Sequence, residues 1–101
     1  MAQLGVYFRP LALDDIAEAA AFYAQQDDDR LVRRFLRAVD EATERISVYP
    51  LSCPKYHRNS HRLMLKTFPY CVCYRVVGET VQVLAVLHAK RKPITLQRRA
   101  E

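Results

Sequence analysis

Apolar and polar residues follow two different periods along this chain, and the change of period divides it into elements. The segment Val6-Tyr7-Phe8-Arg9 predicts a short strand that Pro10 ends. Two segments then repeat apolar residues every three or four positions, which predicts two helices. The first is expected to be capped by Asp14 or Asp15, and the second runs from about 30 to 48 after an N-cap in the Asp27-Asp28-Asp29 run. The predicted core positions are Ile16, Ala19, Ala20 and Tyr23, then Val32, Phe35, Leu36, Val39, Thr43 and Ile46.

The second half of the chain is predicted to form three strands, at residues 61–66, 70–77 and 80–88. Gly78-Glu79 fits a two-residue hairpin turn with glycine first. If Val77 pairs with Thr80, Tyr74 faces Val83, Val76 faces Val81 and Val72 faces Ala85. One sheet face is then wholly apolar and should lie under the helices: Val72, Tyr74, Val76, Val81, Val83, Ala85 and Leu87. The other face is mixed and is predicted to dock a partner or ligand: Cys71, Cys73, Arg75, Gln82, Leu84, Val86 and His88.

This order predicts an α+β domain, β-α-α-β-β-β, with a largely antiparallel sheet packed on a two-helix hairpin. The 101 residues suit a single domain, residues 1–101, with 94–101 as a flexible basic tail. No apolar run approaches the roughly 20 residues of a membrane-spanning helix. The N-terminus has no secretory signal pattern, so we expect a cytoplasmic protein without a membrane partner.

Three cysteines, Cys53, Cys71 and Cys73, cannot pair completely, which also favours a reducing compartment. Cys71 and Cys73 would share one strand face about 7 Å apart, too far for a comfortable disulfide. Together with His88 they do not form a recognised zinc spacing. The sequence therefore predicts buried thiols, and neither a metal nor a cofactor.

Charge is divided unevenly between the two halves. Residues 1–50 carry six arginines and nine acidic residues, a net charge of −3, whereas residues 51–101 carry ten Lys or Arg and two acidic residues, a net charge of +8. Such a split indicates a basic face for nucleic acid or for an acidic protein partner. The simpler interpretation is a solvated basic surface.

Several short motifs lie in this order along the chain. They are Phe22-Tyr23 at the end of the first helix, Arg62, Phe68-Pro69-Tyr70, Tyr74-Arg75-Val76, and Val83 to Pro93 with its His-x-x-Arg-x-Pro ending. In combination they resemble the RelE/ParE superfamily of toxins from type II toxin–antitoxin (plasmid-stabilisation) modules. The resemblance implies one of two activities: ribosome-dependent cleavage of messenger RNA in RelE-like toxins, or inhibition of DNA gyrase in ParE-like toxins.

The nuclease activity implied by the resemblance needs a set of basic and acid–base residues. Arg62, Lys66, His88 and Arg91 are the candidates here. However, Cys71 stands where that branch has an arginine, and no tyrosine follows Tyr74. A thiol cannot replace a permanent cation at a phosphate, so the residues favour a non-enzymatic gyrase inhibitor.

The resemblance implies binding surfaces for two partners. Target binding is assigned to the cationic C-terminal segment: Lys90, Arg91, Lys92, Arg98 and Arg99. A cognate antitoxin, often acidic in this superfamily, is assigned to a second basic set: Arg30, Arg33, Arg34, Arg37 and Arg75. The prediction is thus a ParE-like gyrase inhibitor that forms a hetero-oligomer with its antitoxin. The alternatives are a RelE-like messenger-RNA endonuclease with an atypical site, or a non-toxic relative that only binds.

Overall fold

The computed structural model describes residues 3–26, 28–53, 55 and 59–90. Its elements are β1 (Gly5–Phe8), α1 (Pro10–Ala24), α2 (Asp29–Val48), β2 (His61–Met64), β3 (Tyr70–Val77) and β4 (Thr80–His88). The predicted order and the α+β class are confirmed. The tail predicted at residues 94–101 lies outside the described residues. None of the described helices is both long and apolar enough to cross a bilayer.

The four strands form one mixed sheet in the order β1-β4-β3-β2. β2, β3 and β4 are antiparallel neighbours, whereas β1 pairs in parallel with β4. The chain therefore leaves one edge of the sheet after β1 and re-enters at the opposite edge in β2. The α1–α2 hairpin makes this crossing, which places both helices over a single face.

Helix α1 begins earlier than the sequence predicted. Its N-cap is Arg9 and Pro10 occupies its first turn, so the predicted cap at Asp14 or Asp15 is wrong. Proline is well suited to the first turn because its fixed φ is helical and its missing N–H would be unpaired there. Asp15 instead lies inside the helix and is buried.

Helix α2 begins where expected, because the Asp28 carboxylate accepts hydrogen bonds from the backbone N–H groups of Arg30 and Leu31. The side chains that α2 buries are smaller than those predicted. Phe35, Val39 and Ile46 are buried as expected, but Leu36 is 40% exposed. Three small residues, Ala38, Ala42 and Ser47, take the remaining buried positions. Small side chains there leave space between α2 and the edge of the sheet.

Aromatic rings fill the core between the helices and the start of β3. The centroids of Tyr23 and Phe68 are 5.3 Å apart, and Phe35 lies 5.5 Å from Phe68 and 5.6 Å from Tyr70. These are edge-to-face contacts, the favourable geometry for ring quadrupoles. The Phe-Pro-Tyr motif thus packs the helical hairpin against the sheet.

A β-bulge in β4 changes which side chains face the helices. Tyr74 pairs with Val83 as predicted, but Cys73 pairs with Ala85, so Leu84 is an extra residue. A single inserted residue reverses the alternation of faces beyond it. Val72 therefore pairs with Val86 instead of Ala85, and the predicted positions of the later β4 residues are wrong. Val86 joins the core under the helices, whereas Ala85 and Leu87 lie on the other face.

The second face of the sheet is not the open, mixed docking surface that was predicted. Its centre is a separate buried cluster of Cys71, Cys73, Leu84, Ala85 and Leu87. Near the hairpin turn this face is polar, and there the Arg75 Nε donates to the Gln82 Oε1 at 2.9 Å. His88, predicted on this face, lies on the helix side because of the bulge.

Candidate interaction surface

A groove runs between α2 and the edge strand β2, and we call it the α2–β2 groove. It consists of three adjoining cavities of about 150, 190 and 350 Å³. Ala38, Glu41 and Lys66 are shared by the first two cavities, and Arg45 and Leu63 by the last two. The groove therefore follows α2 from Arg34 to Arg45, about 16 Å at 1.5 Å per residue.

The spacing of residues on α2 explains the shape and the charge of the groove. Arg34, Ala38, Glu41 and Arg45 recur at intervals of three or four, so they share one side of the helix. Ala38 and Ala42 form the inner wall, and their single methyl groups keep the space between α2 and β2 open. The longer side chains of the same stripe reach out along the rim.

Positive charge dominates the α2–β2 groove. Five cationic side chains line it: Arg34, Arg37, Arg45, Lys55 and Lys66. Arg62 borders the last cavity, but its side chain interacts with Cys71 on the other face of the sheet. Among the lining residues of these three cavities, Glu41 is the sole acid. Like charges gathered along a concave, low-dielectric wall focus the potential and attract anionic groups.

The outer edge of β2 runs along this groove. Among the described residues, only one bridge, between Lys55 and His61, pairs with that edge. Beyond it, the side chain of Met64 is 45% exposed. An edge strand offers backbone N–H and C=O groups to an added segment. Chemically the groove can bind an extended acidic peptide through both charges and backbone.

A second cavity, of about 150 Å³, lies where β4 ends beside α1. Its polar side chains are Asp15, Glu18, Tyr70 and His88. The Nδ1 atom of His88 accepts a hydrogen bond from the Lys90 backbone N–H at 3.2 Å, and its ring meets that of Tyr70 at 5.5 Å. None of the described residues that line this cavity is a lysine or an arginine.

The structure places the three described candidate nuclease residues, Arg62, Lys66 and His88, at separate positions. Arg62 pairs with Cys73, on the face away from the helices. Lys66 lies at the narrow end of the α2–β2 groove, whereas His88 lies in the separate cavity beside α1. Arg91 is outside the described residues.

Of the residues predicted to bind the target, the structure describes one. Lys90 is exposed directly after β4. The others lie outside the described residues: Arg91, Lys92, Arg98 and Arg99.

The residues predicted to bind an antitoxin lie in three separate parts of the structure. Arg34 and Arg37 line the α2–β2 groove. Arg30 and Arg33 are exposed on α2 without lining it. Arg75 lies on the opposite face of the sheet, bonded to Gln82.

Sequence reasoning missed Arg45 and Lys55 as parts of this surface. Arg45 could have been found, because it continues the three-and-four spacing of Arg34, Ala38 and Glu41. Lys55 could not, since only the bridge to His61 brings it beside β2.

Comparisons with known proteins agree with this fold. Residues 6–93 match the family model described as the ParE toxin of the type II toxin–antitoxin system, parDE. Toxin ParE2 of Mycobacterium tuberculosis (strain CDC 1551 / Oshkosh) is 32% identical over 80 residues, which cover 79% of this chain and 76% of the relative.

Two solved structures share the fold. One belongs to the chromosomal ParDE toxin–antitoxin system of P. aeruginosa, with a TM-score of 0.75 and 15% identity over 85% of this chain and 96% of that one. The other is a chain of the RelBE2 toxin–antitoxin complex of M. tuberculosis, with a TM-score of 0.58 and 23% identity over 87% of this chain and 93% of that one. The match of the family model over most of the chain, with the ParE2 relative, shows that this protein belongs to the ParE toxin family of type II toxin–antitoxin systems.

Proposed function

We propose that this ParE-family toxin inhibits DNA gyrase without cleaving nucleic acid, and that a cognate antitoxin neutralises it in a hetero-oligomer. A cytoplasmic location follows from this proposal, because gyrase acts on chromosomal and plasmid DNA there. The observation that carries the proposal is the separation of the candidate acid–base group, His88, from the cationic side chains of the α2–β2 groove.

Metal-free RNA cleavage requires an acid–base group and a cation close to the same phosphate. His88 shares its cavity with the carboxylic acid side chains Asp15 and Glu18. A phosphate there would be repelled by any ionised carboxylate and would meet no described cation in the cavity wall. This arrangement favours a binding function over phosphodiester chemistry.

The position of Cys71 supports the same conclusion. RelE-like nucleases resemble this chain around Phe68-Pro69-Tyr70, but Cys71 follows where they carry an arginine. Its side chain is 3% exposed and lies in the apolar cluster with Leu84 and Leu87. A buried thiol there cannot contact an RNA phosphate.

The cationic segment that begins at Lys90 is the proposed contact with gyrase or with its DNA. Lys90 is exposed at the end of β4, and Arg91, Lys92, Arg98 and Arg99 follow outside the described residues. Contacts between these cations and acidic residues or phosphates would weaken as salt concentration rises.

A gyrase supercoiling assay with the purified full-length chain tests this function. The toxin should inhibit ATP-dependent supercoiling of relaxed plasmid, and the Lys90→Ala/Arg91→Ala/Lys92→Ala variant should inhibit less. The matched control is Arg30→Ala/Arg33→Ala, which removes two exposed α2 cations outside the groove and should inhibit as the wild type does.

A ribosome-dependent messenger-RNA cleavage assay, run in parallel, separates the alternatives. Normal supercoiling with cleaved messenger would overturn the gyrase proposal in favour of a RelE-like endonuclease. Normal supercoiling with intact messenger, and no growth defect on induction, would instead indicate a relative that only binds.

We infer that the α2–β2 groove receives an acidic segment of the antitoxin. Five cationic side chains against one acid provide charge complementarity, and Arg34 and Arg37 are the predicted antitoxin contacts that line it. The available edge of β2 and the exposed Met64 add backbone and apolar contacts. Because desolvated charge pairs near the centre of an interface matter most, Arg37 and Arg45 should contribute more than Arg30 or Arg33.

A further inference from the structure

A threonine with a strained backbone lies in the wall of the α2–β2 groove. Thr67 has a φ of 67°, and it is the only non-glycine residue with a positive φ among the residues that the structure describes. Glycine adopts this left-handed conformation freely, whereas a residue with a branched Cβ is strained there. Strain of this kind gathers at binding sites, where the surrounding structure maintains it as part of the function. Thr67 thus has the backbone of a functional residue rather than that of an ordinary loop residue.

The neighbours of Thr67 fix this turn between β2 and β3. Lys66 and Thr67 form an exposed pair, and the residues on either side of them, Leu65 and Phe68, are buried. The Leu65 backbone N–H donates to the Tyr70 carbonyl at 2.9 Å. The Thr67 hydroxyl donates to the Lys66 carbonyl at 2.6 Å. The backbone of Lys66 is therefore held in one position, although the residue is exposed.

This turn forms part of the wall of the 150 Å³ cavity at the Arg34 end of the groove. Arg34 and Arg37, which are three positions apart on α2, line the cavity from the helix. With Lys66 and the single acid Glu41, the lining side chains carry three positive charges and one negative charge, a net charge of +2. A water molecule needs about 10–15 Å³ of cavity volume, so a carboxylate group fits here with ample room. The cavity thus has both the charge and the space for an anionic group.

The three cations of this cavity suit a carboxylate. Each guanidinium presents paired N–H groups that match the two oxygens of a carboxylate. Lys66 adds a compact ammonium charge from the turn between β2 and β3. Since Lys66 directly precedes the strained residue, its reach into the cavity depends on the backbone that the Thr67 hydroxyl holds.

We propose that this cavity is a subsite for one acidic side chain of the antitoxin, which Arg34, Arg37 and Lys66 contact. Thr67 is a positioning residue, which holds Lys66 for that contact. The subsite rests on the proposed function, in which the α2–β2 groove receives an acidic segment. It adds one place in the groove where a single carboxylate is recognised, whereas the remaining cations attract the segment along its length. The strained turn keeps Lys66 ready for binding, because a contact that is already positioned loses less conformational freedom.

Calorimetric titration of the full-length toxin with the antitoxin from the co-purified complex tests the subsite. Lys66→Gln and Thr67→Gly should each lower the affinity about fivefold or more. The double variant Lys66→Gln/Thr67→Gly should bind as Lys66→Gln does, because Thr67 acts through Lys66. Arg33→Gln, which removes an exposed α2 cation outside the groove, is the matched control and should bind as the wild type does.

Thermal unfolding of the same variants separates this role from a purely structural one. Thr67→Gly should keep the unfolding midpoint of the wild type or raise it, because glycine adopts this φ without strain. A residue that only maintained the fold would not combine weaker binding with undiminished stability.

Two patterns of result would overturn the subsite. The first is wild-type affinity in Thr67→Gly, or additive losses in the double variant, while Arg37→Gln and Arg45→Gln still bind weakly. That pattern would exclude the positioning role of Thr67 and leave the antitoxin groove in place. The second is normal affinity in all of these variants, which would overturn the antitoxin groove together with its subsite.

Discussion

The Asp15 carboxylate accepts a hydrogen bond from the backbone N–H of Val86 at 2.9 Å, which joins α1 to β4 across 71 positions of the chain. The bond lies just beyond the end of β1, whose last residue, Phe8, is opposite Val83. β4 continues past its parallel partner there and passes through the bulge at Leu84. Asp15 thus provides the hydrogen-bond acceptor for a buried N–H group that lies beyond the end of β1.

Removal of this acceptor should destabilise the fold. We expect Asp15→Ala to lower the free energy of unfolding by about 1–3 kcal/mol, because a buried N–H loses its partner. Asp15→Asn keeps an oxygen acceptor and should lose less. Urea unfolding measures the difference, with the exposed neighbour Asp14→Ala as control. Equal stability of the Asp15 and Asp14 variants would contradict the assigned role.

The hairpin turn between β3 and β4 should require glycine. Gly78 has a φ of 61°, in the left-handed region. We expect Gly78→Ala to cost about 1–2 kcal/mol of stability in thermal or urea unfolding. Gly5→Ala is the control, since an added Cβ there meets nothing within 4 Å. A Gly78 variant as stable as the Gly5 variant would show that the turn tolerates an L side chain.

The phenol of Tyr74 should anchor the loop that follows α2. Its hydroxyl donates to the Pro50 carbonyl at 2.7 Å, and its ring stacks on His61 with centroids 5.3 Å apart. Tyr74→Phe keeps the ring and removes the hydrogen bond, so we expect a loss of about 1 kcal/mol. The exposed Tyr49→Phe should change the free energy of unfolding by much less.

Tyr74 should also contribute to loss of stability at alkaline pH. Burial, followed by the hydrogen bond with Cys53, raises the pKa of this phenol above its ordinary value of 10. Its contribution is therefore fully present below pH 10 and is lost as pH rises further, because the unfolded chain releases the proton first. In Tyr74→Phe, the decline of unfolding free energy above pH 10 should be shallower than in the wild type. An identical slope in both proteins would contradict this.

Charge reversal in the α2–β2 groove should weaken antitoxin binding selectively. We expect Arg37→Glu and Arg45→Glu to lower the affinity for the co-purified antitoxin at least tenfold by calorimetry, because each places a repulsive charge against an acidic segment. Arg33→Glu, on α2 but outside the groove, is the matched control. The wild-type affinity should also fall with rising salt. Equal losses in all three variants would indicate general electrostatics rather than this groove.

A substitution that fills the same groove without changing its charge tests whether antitoxin binding depends on the shape of the groove. Ala42 forms part of its inner wall, so Ala42→Leu should fill the space between α2 and β2 and reduce antitoxin affinity. Ala21→Leu adds the same atoms at an exposed position of α1 and should bind normally. Circular dichroism checks that both variants are folded. Normal binding by a folded Ala42→Leu variant would exclude the groove as the binding site.

Local patterns in the sequence were sufficient for the elements and for the family. The three-and-four spacing of apolar residues predicted both helices, the Asp27-Asp28-Asp29 run marked the start of α2, and Gly78 marked the hairpin. These signals are local, since each depends on neighbouring residues and on backbone conformations that the residue types favour. The α+β order and the short motifs along it were enough to indicate the RelE/ParE superfamily.

The tertiary structure decided where the side chains of β4 point and which charges meet. Successive side chains of a strand point to opposite faces of the sheet. The single extra residue at Leu84 therefore placed His88 on the helix side and Leu87 on the face away from the helices. No local pattern reveals a bulge, because it arises from the pairing of two strands. Likewise, Asp15 reached Val86 and Lys55 joined the groove only through contacts between residues that are not neighbours in sequence. A binding surface is a property of such contacts, and for that reason the sequence alone named Arg34 and Arg37 but not the arrangement that joins them to Arg45 and Lys55.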